Sequence, residues 1–569
     1  MHCPNFGPLL FIAMLIGCAP AAAPQSPGAQ DAARASTAPK RITAAIMVDP
    51  ATVFLQMDVG TLPGTDTVQA LVHAGLSIVD DRGGRRAQLA EQVPTLENGL
   101  WKVFPDGRME TTWHIRSGAV WHDGAPVVAQ DMVFTAAVGQ DRDLPRFSDL
   151  DFKSVESVEA VDARTVTVRW KEPFIDANAM FAAEFAYPLP SHLLEDGYRG
   201  NKPAFMDLPY WSTEYVGAGP FRLREWERGS YLLLEAFDRY PLGRPKIDSI
   251  EVKFIPYGNT LVASVLAGSV ELTLGRSISV EQAAQVSEQW REGRVAVTPP
   301  GMVRLWWQGL NPTPSAILDV RFRRALLQAI DRNEMAETLQ RGVAPAADSF
   351  LYPGQPQYRD LEDRYLVHYS FDPRQATAEL MALGYVRGSD GMLRDSSGEP
   401  LAVGLVVSPS QEINVRSTLA VADYWKQVGV DASTSLQPER SGIEKLKYEA
   451  EWPGFTLIRG NNDLEGLAIL HSAQARLPER GYNGTNRGNY MNLELDALID
   501  RYFVTIPERE RLDTLGRIIH HISDQLPILP LYYGAEPAVI SHRLLNVGPK
   551  PAGSAGQTQA WNAHEWDVA

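Results

Sequence analysis

Apolar residues recur along this chain at two spacings, every second residue and every third to fourth. The switches between them predict strands and helices. The densest stretch is Thr111 to Phe134, TTWHIRSGAVWHDGAPVVAQDMVF. Thr112, His114 and Arg116 alternate with Trp113, Ile115 and Ser117, which predicts a half-buried strand. Asp123-Gly124 predicts a tight turn, because glycine tolerates positive φ. From about Ala129 a helix is predicted, with Met132, Val133, Ala136 and Ala137 on one face. Asp131 falls in its first turn, where the helix dipole favours a negative charge.

The same rules carry down the chain. Ile42 to Val48 predicts a buried strand, ended by Asp49-Pro50, and Val158 to Trp170 a hairpin turning at Asp162-Ala163. Ile250, Val252 and Phe254 alternate as a strand, Leu261 to Leu266 is helical up to Gly268, and Val270 to Leu272 is the next strand. Asp319 is the predicted cap of a helix with Phe322, Leu326, Ala329 and Ile330 as its stripe. Asp331 and Glu334 predict a capping box for the following helix, which ends before Gly342. A further helix starts at Asp372-Pro373 and stops at Gly384, Leu401 to Val407 alternates as a strand, and Asp496–Val504 and Pro507–Ile522 are predicted helices.

Length and charge narrow this picture. The 569 residues are enough for two to four domains, and 44% hydrophobic with 21% charged residues is an ordinary globular balance. A formal net charge of −16 argues against a nucleic-acid partner, which needs a basic face. The two cysteines, Cys3 and Cys18, lie at the N-terminus, so no disulfide framework or thiolate metal site is expected in the body. Leu9 to Gly17 is an apolar run of signal-peptide length, and Leu15-Ile16-Gly17-Cys18 looks like a bacterial lipobox with Cys18 as the lipidated residue. The n-region lacks Lys and Arg, and an ordinary cleaved signal peptide is the alternative. Ala19 to about Lys40 is rich in Ala, Pro, Ser and Gln and reads as a flexible tether.

The opening stretch resembles a signature of the family 5 extracellular solute-binding proteins of ABC importers, "F-x-L-R-x-G-V-x-W-H-D-G-x-P-x-T-A-x-D-V-V-F". Arg116, Gly118, Trp121, His122, Asp123, Gly124, Pro126, Ala129, Asp131, Val133 and Phe134 match. Val128 stands in place of the Thr that caps the helix, at a cost of about 1 kcal/mol. Gly217-Ala218-Gly219-Pro220-Phe221 is similar to the family's "G-T-G-P-Y/F", DVRFRRALLQAIDRNEM to "D-V-R-V-R-Q-A-L-x-x-A-I-D-R-E-x-I", and Pro530-Leu531-Tyr532 to "P-L-Y-x". The resemblance runs from about residue 42 to about residue 540.

It implies an α/β, two-lobed periplasmic-binding-protein-like fold of type II, cluster C, with an additional domain. By analogy lobe I is discontinuous, about 41–80, 217–297 and 526–569; the additional domain is about 81–216 and lobe II about 298–525. The implied function is capture of a peptide or peptide-like solute by hinge closure and its delivery to an ABC permease. The alternatives are a non-peptide solute (a sugar, a nickel chelate, an anionic compound) or a ligand-sensing receptor on the same fold. The implied protein is exported, monomeric, anchored to the membrane by lipid at Cys18, and free of any cofactor or resident metal.

No GxSxG, GxxxxGK[ST] or HExxH pattern occurs, so no enzyme is expected. Adjacent residues on a helix point about 100° apart, so His520-His521 does not predict a metal pair. Two stretches supply the candidate ligand-binding residues: Trp306, Trp307 and Gln308, and then Trp452, Phe455, Arg459, Asn461, Asn462 and Asp463. The second resembles the family's "G-W-x-A-D-Y". Ile458 stands where peptide-binding members carry an Asp for the peptide's ammonium group, and Arg459 beside it favours an anionic group. Asp463 is the alternative partner for an ammonium.

Overall fold

The computed structural model describes residues 39–57, 64–141, 143–144, 151–183, 186–275, 277–298, 301–409, 411–440, 442–460, 462–549 and 558–569. The apolar run before Cys18, Cys18 itself and most of the tether lie outside the described residues.

Among the described residues two sheets dominate the body. The larger orders its seven strands Gly293–Thr298, Glu536–Ser541, Leu272–Thr273, Arg41–Ile46, Ser249–Phe254, Tyr231–Ala236, Phe221–Glu227. Arg41–Ile46 runs parallel to both its neighbours, and the outer pairs are antiparallel. The smaller orders its five strands Asp431–Leu436, Ala402–Val407, Phe455–Gly460, Met302–Trp307, Ile528–Tyr533. The parallel strands in it are joined by helices, Glu412–Gln427 and Gly442–Glu451, as parallel pairing requires. A four-stranded antiparallel sheet, Trp101–Val103, Met109–His114, Thr165–Trp170 and Val155–Ala160, carries the predicted strand and hairpin of the opening stretch.

The chain passes between the two large sheets twice. Thr298 ends a strand of the larger sheet and Met302 starts one of the smaller. Tyr533 ends a strand of the smaller sheet and Glu536 starts one of the larger. Ile528–Tyr533 pairs with Met302–Trp307 in the five-stranded sheet, so the return crossing falls after Tyr533 and not at the sequence-based boundary of 526.

Helix ends follow the predicted chemistry. Asp319 accepts from the Arg321 amide and Asp372 from the amides of Arg374 and Gln375. Asp331 accepts from the Glu334 amide at 2.9 Å. The Glu334 carboxylate is drawn instead to the Tyr424 hydroxyl of the packed helix Glu412–Gln427, so half of the expected box is spent on tertiary packing. The last two predicted helices extend further than their stripes, to Leu493–Val504 and Glu508–Gln525. Asn492 caps the first of them, accepting from the Leu495 amide at 3.0 Å.

Candidate functional site

The signature stretch is a structural joint. Trp113 and Trp121 are fully buried in the core of the four-stranded sheet. Asp131 is also buried, and its carboxylate accepts four hydrogen bonds: Trp121 Nε1 at 3.0 Å, the Val128 amide at 3.0 Å, and the Ser191 amide and hydroxyl at 2.9 and 2.7 Å. Val128 has no side-chain acceptor, and Asp131 covers the N-cap amide from inside the helix.

His122 ties this joint to the Gly217–Gly219 segment. Its Nε2 lies 3.0 Å from the Gly219 carbonyl and its Nδ1 accepts from the Gly217 amide at 3.3 Å. One donating and one accepting nitrogen fit the neutral ring, and burial holds its pKa down at about 4. A Cβ on Gly217 would lie 2.0 Å from the Val72 carbonyl, which is why glycine stands there. His114 Nδ1 lies 3.2 Å from Thr165 Oγ1 on the neighbouring strand.

The polar cluster between the lobes lies where the two crossings meet. The Gly534 amide donates to the Gly301 carbonyl at 3.1 Å. Strand pairing puts Met302 beside both Gly460 and Tyr533, so the segment from Arg459 to Asp463 emerges at this point. Arg459 reaches across to Glu536, the first residue of the returning strand, at 3.8 Å, with each side chain 11% exposed. Arg416, on the helix after Ala402–Val407, pairs with Glu281 at 2.9 Å. Glu281 sits in the first turn of Val280–Gln289, a helix packed on the seven-stranded sheet through Val286 and Val539. Between the two pairs lies Tyr532, whose hydroxyl is 2.6 Å from Ser417 Oγ. Burial pushes its phenol up to about 12, against the opposing pull of the Ser417 bond, Arg459 and Arg416.

Asn462 and Asp463, three and four residues beyond Arg459, are buried. Asp463 Oδ1 accepts from the Gly466 amide at 2.7 Å, and Asn462 Nδ2 has no partner among the described residues. Asp463 also acts on buried Arg304, whose pKa burial pulls down to about 10 while the aspartate pushes it back up. That value leaves the guanidinium charged at neutral pH. Ile458, on the strand Phe455–Gly460, is paired in register with Arg304 on the neighbouring strand Met302–Trp307. Asn461 lies outside the described residues.

The remaining candidates lie elsewhere. Trp306 and Trp307 end the strand whose first residue, Met302, is at the crossing, and Gln308 follows them, so the three lie about 13 to 20 Å away along the chain. Trp306 and Trp307 are 2% and 4% exposed and belong to the cores on opposite faces of the sheet. Trp307 Nε1 donates to the Leu526 carbonyl at 2.7 Å, and Arg323 stacks over its ring at 4.2 Å. Gln308 Nε2 donates to the carbonyls of Ala450 and Trp452, which close the helix Gly442–Glu451. Phe455 is buried edge-on to Trp425 at 4.9 Å, and Trp452 packs against Tyr448 at 5.9 Å. His520 and His521 diverge, one to the Tyr365 carbonyl and one to the Tyr490 hydroxyl.

Of the predicted residues, the structure therefore places Arg459 at the crossing, with buried Asn462 and Asp463 following it in the chain, and sets the tryptophans and Gln308 apart from it. Spacing alone gives no sign of Glu281, Arg416, Tyr532 or Glu536. Local signals exist for two of them: Ser279-x-x-Gln282 is a capping box that fixes Glu281 in the first turn, and the Pro-Leu-Tyr motif contains Tyr532.

Two α/β lobes, joined by two neighbouring crossings with a charged cluster beside them, define a two-lobed solute-binding protein. Residues 91–472 match the family described as bacterial extracellular solute-binding proteins, family 5 Middle. The chain belongs to that family. It is 23% identical over 480 residues to the oligopeptide-binding protein AppA of Bacillus subtilis, covering 82% of this chain and 81% of the relative. Its fold is similar to that of NikZ from Campylobacter jejuni, solved in complex with Ni(L-His), with a TM-score of 0.74, 20% identity and coverage of 93% of this chain and 100% of that one. It is similar to the same degree to an oligopeptide-binding protein from Thermus thermophilus complexed with a pentapeptide, with a TM-score of 0.74, 20% identity and coverage of 93% and 96%.

Proposed function

We propose that this protein is the solute-capturing component of an ABC importer and that it takes a peptide or peptide-like solute between its two lobes. The observation that carries this reading is the pair of crossings at Gly301 and Gly534, with charged side chains from both lobes meeting beside them. Opening at the crossings parts those side chains, and closing brings them onto whatever lies between. A ligand drives closure only by contacting the closed state better than the open one. In this reading lobe I comprises 41–80, 217–297 and the chain after Tyr533, lobe II runs between the crossings, and 81–216 forms the additional domain. The protein captures and does not convert its solute.

The names of the relatives support a peptide. The Ni(L-His) complex of NikZ favours a metal chelate as the second reading. Cys18 is proposed as the lipid anchor that keeps a monomeric binder outside the membrane and beside its permease, with residues 19–40 as tether. Mass spectrometry of solute released from the purified protein by denaturation tests the capture reading. Short peptides in stoichiometric amount support it, and a substrate turned over by the protein contradicts it. A Cys18→Ala variant recovered in the membrane fraction contradicts the anchor.

A further inference from the structure

The lobe built on the five-stranded sheet touches the rest of the body at a second place, where no chain crosses. Phe503, next to the end of the helix Leu493–Val504, and Ile506 just beyond that helix pack against the core of the four-stranded sheet. Ile175, five residues past the strand Thr165–Trp170 of that sheet, packs in return against the core that holds Trp306 and Tyr533. The Ile175 amide donates to the Phe503 carbonyl at 2.9 Å. Carbonyls in the last turn of a helix have no partner within it, and this one takes its donor from across the contact. The four-stranded sheet itself belongs with the seven-stranded lobe: His122 ties it to Gly217 and Gly219, and Ala218, Phe237 and Tyr240 share its core.

Four rings line up through the contact. Trp170 and Phe174 stack at 5.4 Å on one side, and Tyr502 and Phe503 meet at 5.2 Å on the other. The pair that spans the contact, Phe174 and Phe503, is the widest of the three at 6.5 Å and 22°. Each side is fastened to its own body. Trp170 Nε1 donates to Thr111 Oγ1 at 3.0 Å, and Arg511 Nη1 donates to the Ile506 carbonyl at 2.9 Å. The seam therefore falls between Phe174 and Phe503.

We propose that Phe503 and Ile506 form an apolar clasp that draws lobe II onto the additional domain with or without solute, and so sets how often the empty cleft is closed. The proposal rests on the capture function above, in which the lobes part and close.

The physical case is the surface that parting would wet. Opening exposes Phe174, Ile175, Phe503 and Ile506 to water, which is unfavourable in proportion to their apolar area. Ile175, Phe503 and Ile506 are only half-buried, and the ring pair across the seam is the loosest of the three, so the contact is small enough to break and admit a solute. A contact of this kind recognises nothing. It scales the affinity for every solute by one factor, because it changes only the population of the closed form. It also differs from the Arg416–Glu281 pair, which is 41% and 42% exposed and open to screening by salt. Apolar contact is not screened, and it weakens on cooling.

The test is small-angle scattering of the purified protein, stripped of solute, for the parent, Phe503→Ala, Phe503→Leu and Ile506→Ala. Phe503→Ala and Ile506→Ala are expected to raise the radius of gyration of the empty protein, and Phe503→Leu, which keeps apolar bulk, to stay near the parent. Calorimetry with tri- and tetrapeptides that the parent binds is expected to show Phe503→Ala weaker by about tenfold, by the same factor for each peptide, and Phe503→Leu within about threefold. The empty parent is expected to expand on cooling and to hold its radius when salt is raised from about 0.05 to 1 M. An empty-state radius that neither alanine variant changes overturns the clasp. So does a loss confined to some peptides, which would make Phe503 a solute contact, or expansion of the parent by salt, which would give the closed state to the ion pairs. Failure of the capture reading looks different: the alanine variants still open the empty protein, but no peptide compacts either them or the parent.

Discussion

Gly534 and Gly301 lie back to back, the amide of one donating to the carbonyl of the other at 3.1 Å, and through them the two passages between the lobes become a single strip of backbone. Gly301 holds φ of +82°, and a Cβ there would lie 2.8 Å from the Gly460 carbonyl. A Cβ on Gly534 would lie 2.6 Å from Arg459 Nε, the far end of a flexible side chain. Gly301→Ala is therefore expected to cost about 1–3 kcal/mol, from the left-handed backbone and the clash together. Gly534→Ala is expected to cost less, and to move Arg459 away from Glu536. Thermal unfolding of the two variants checks the order.

Two buried histidines set an acid limit. Burial holds His73 at about 3 and His122 at about 4, both below the ordinary histidine value of 6.5. The unfolded chain takes up protons below pH 6.5 that the folded chain refuses, so stability falls as pH drops from 6.5 toward 4. Each histidine contributes a slope of about 1.4 kcal/mol per pH unit across that window. His73 packs against Phe54, Tyr187 and Tyr215. His73→Phe is expected to flatten the acid slope by about one proton's worth, measured as melting temperature against pH from 7 to 4.5. An unchanged slope contradicts the assignment.

Asp131 carries the signature helix's start in place of a capping side chain. Asp131→Asn replaces an acceptor oxygen with a donor among four donors, and is expected to destabilise by about 1–3 kcal/mol. Val128→Thr supplies the missing acceptor at an extended N-cap, φ −126° and ψ 159°, and is expected to gain about 0.5–1 kcal/mol. Chemical denaturation of both variants checks the opposite signs.

Gln308 supports the lobe's interior. Gln308→Leu removes the side-chain donor to the Trp452 carbonyl, one of two side-chain donors to the Ala450 carbonyl, and the acceptor of the Leu310 amide, and is expected to cost about 1–3 kcal/mol of stability. Solute affinity in the folded variant is expected to stay within about twofold of the parent. A tenfold loss of affinity at unchanged melting temperature would place Gln308 in the binding site.

Which parts of this protein are legible in the sequence follows from the range of the interactions concerned. Strands, helices and caps depend on neighbours within four residues, and Asp319, Asp372 and Gly384 mark their ends as the spacing predicts. The half-made box at Asp331 shows the limit: Glu334 answers to Tyr424, 90 residues away. Tryptophans draw attention as ligand platforms, but Trp306 and Trp307 sit at the wrong end of their strand, and only the register with Met302 at the crossing reveals that. Arg459 is visible as an unusual charge beside Ile458. Its partner Glu536 and the second pair, Arg416 with Glu281, span 77 and 135 residues, and no local pattern joins them.

The most direct measurement is small-angle scattering of the purified protein, stripped of bound solute and then titrated with whatever mass spectrometry identifies as its natural cargo. A smaller radius of gyration on saturation, with Arg416→Gln requiring more solute to reach it, is the predicted result. An unchanged scattering curve at saturating solute contradicts capture by closure of the two lobes.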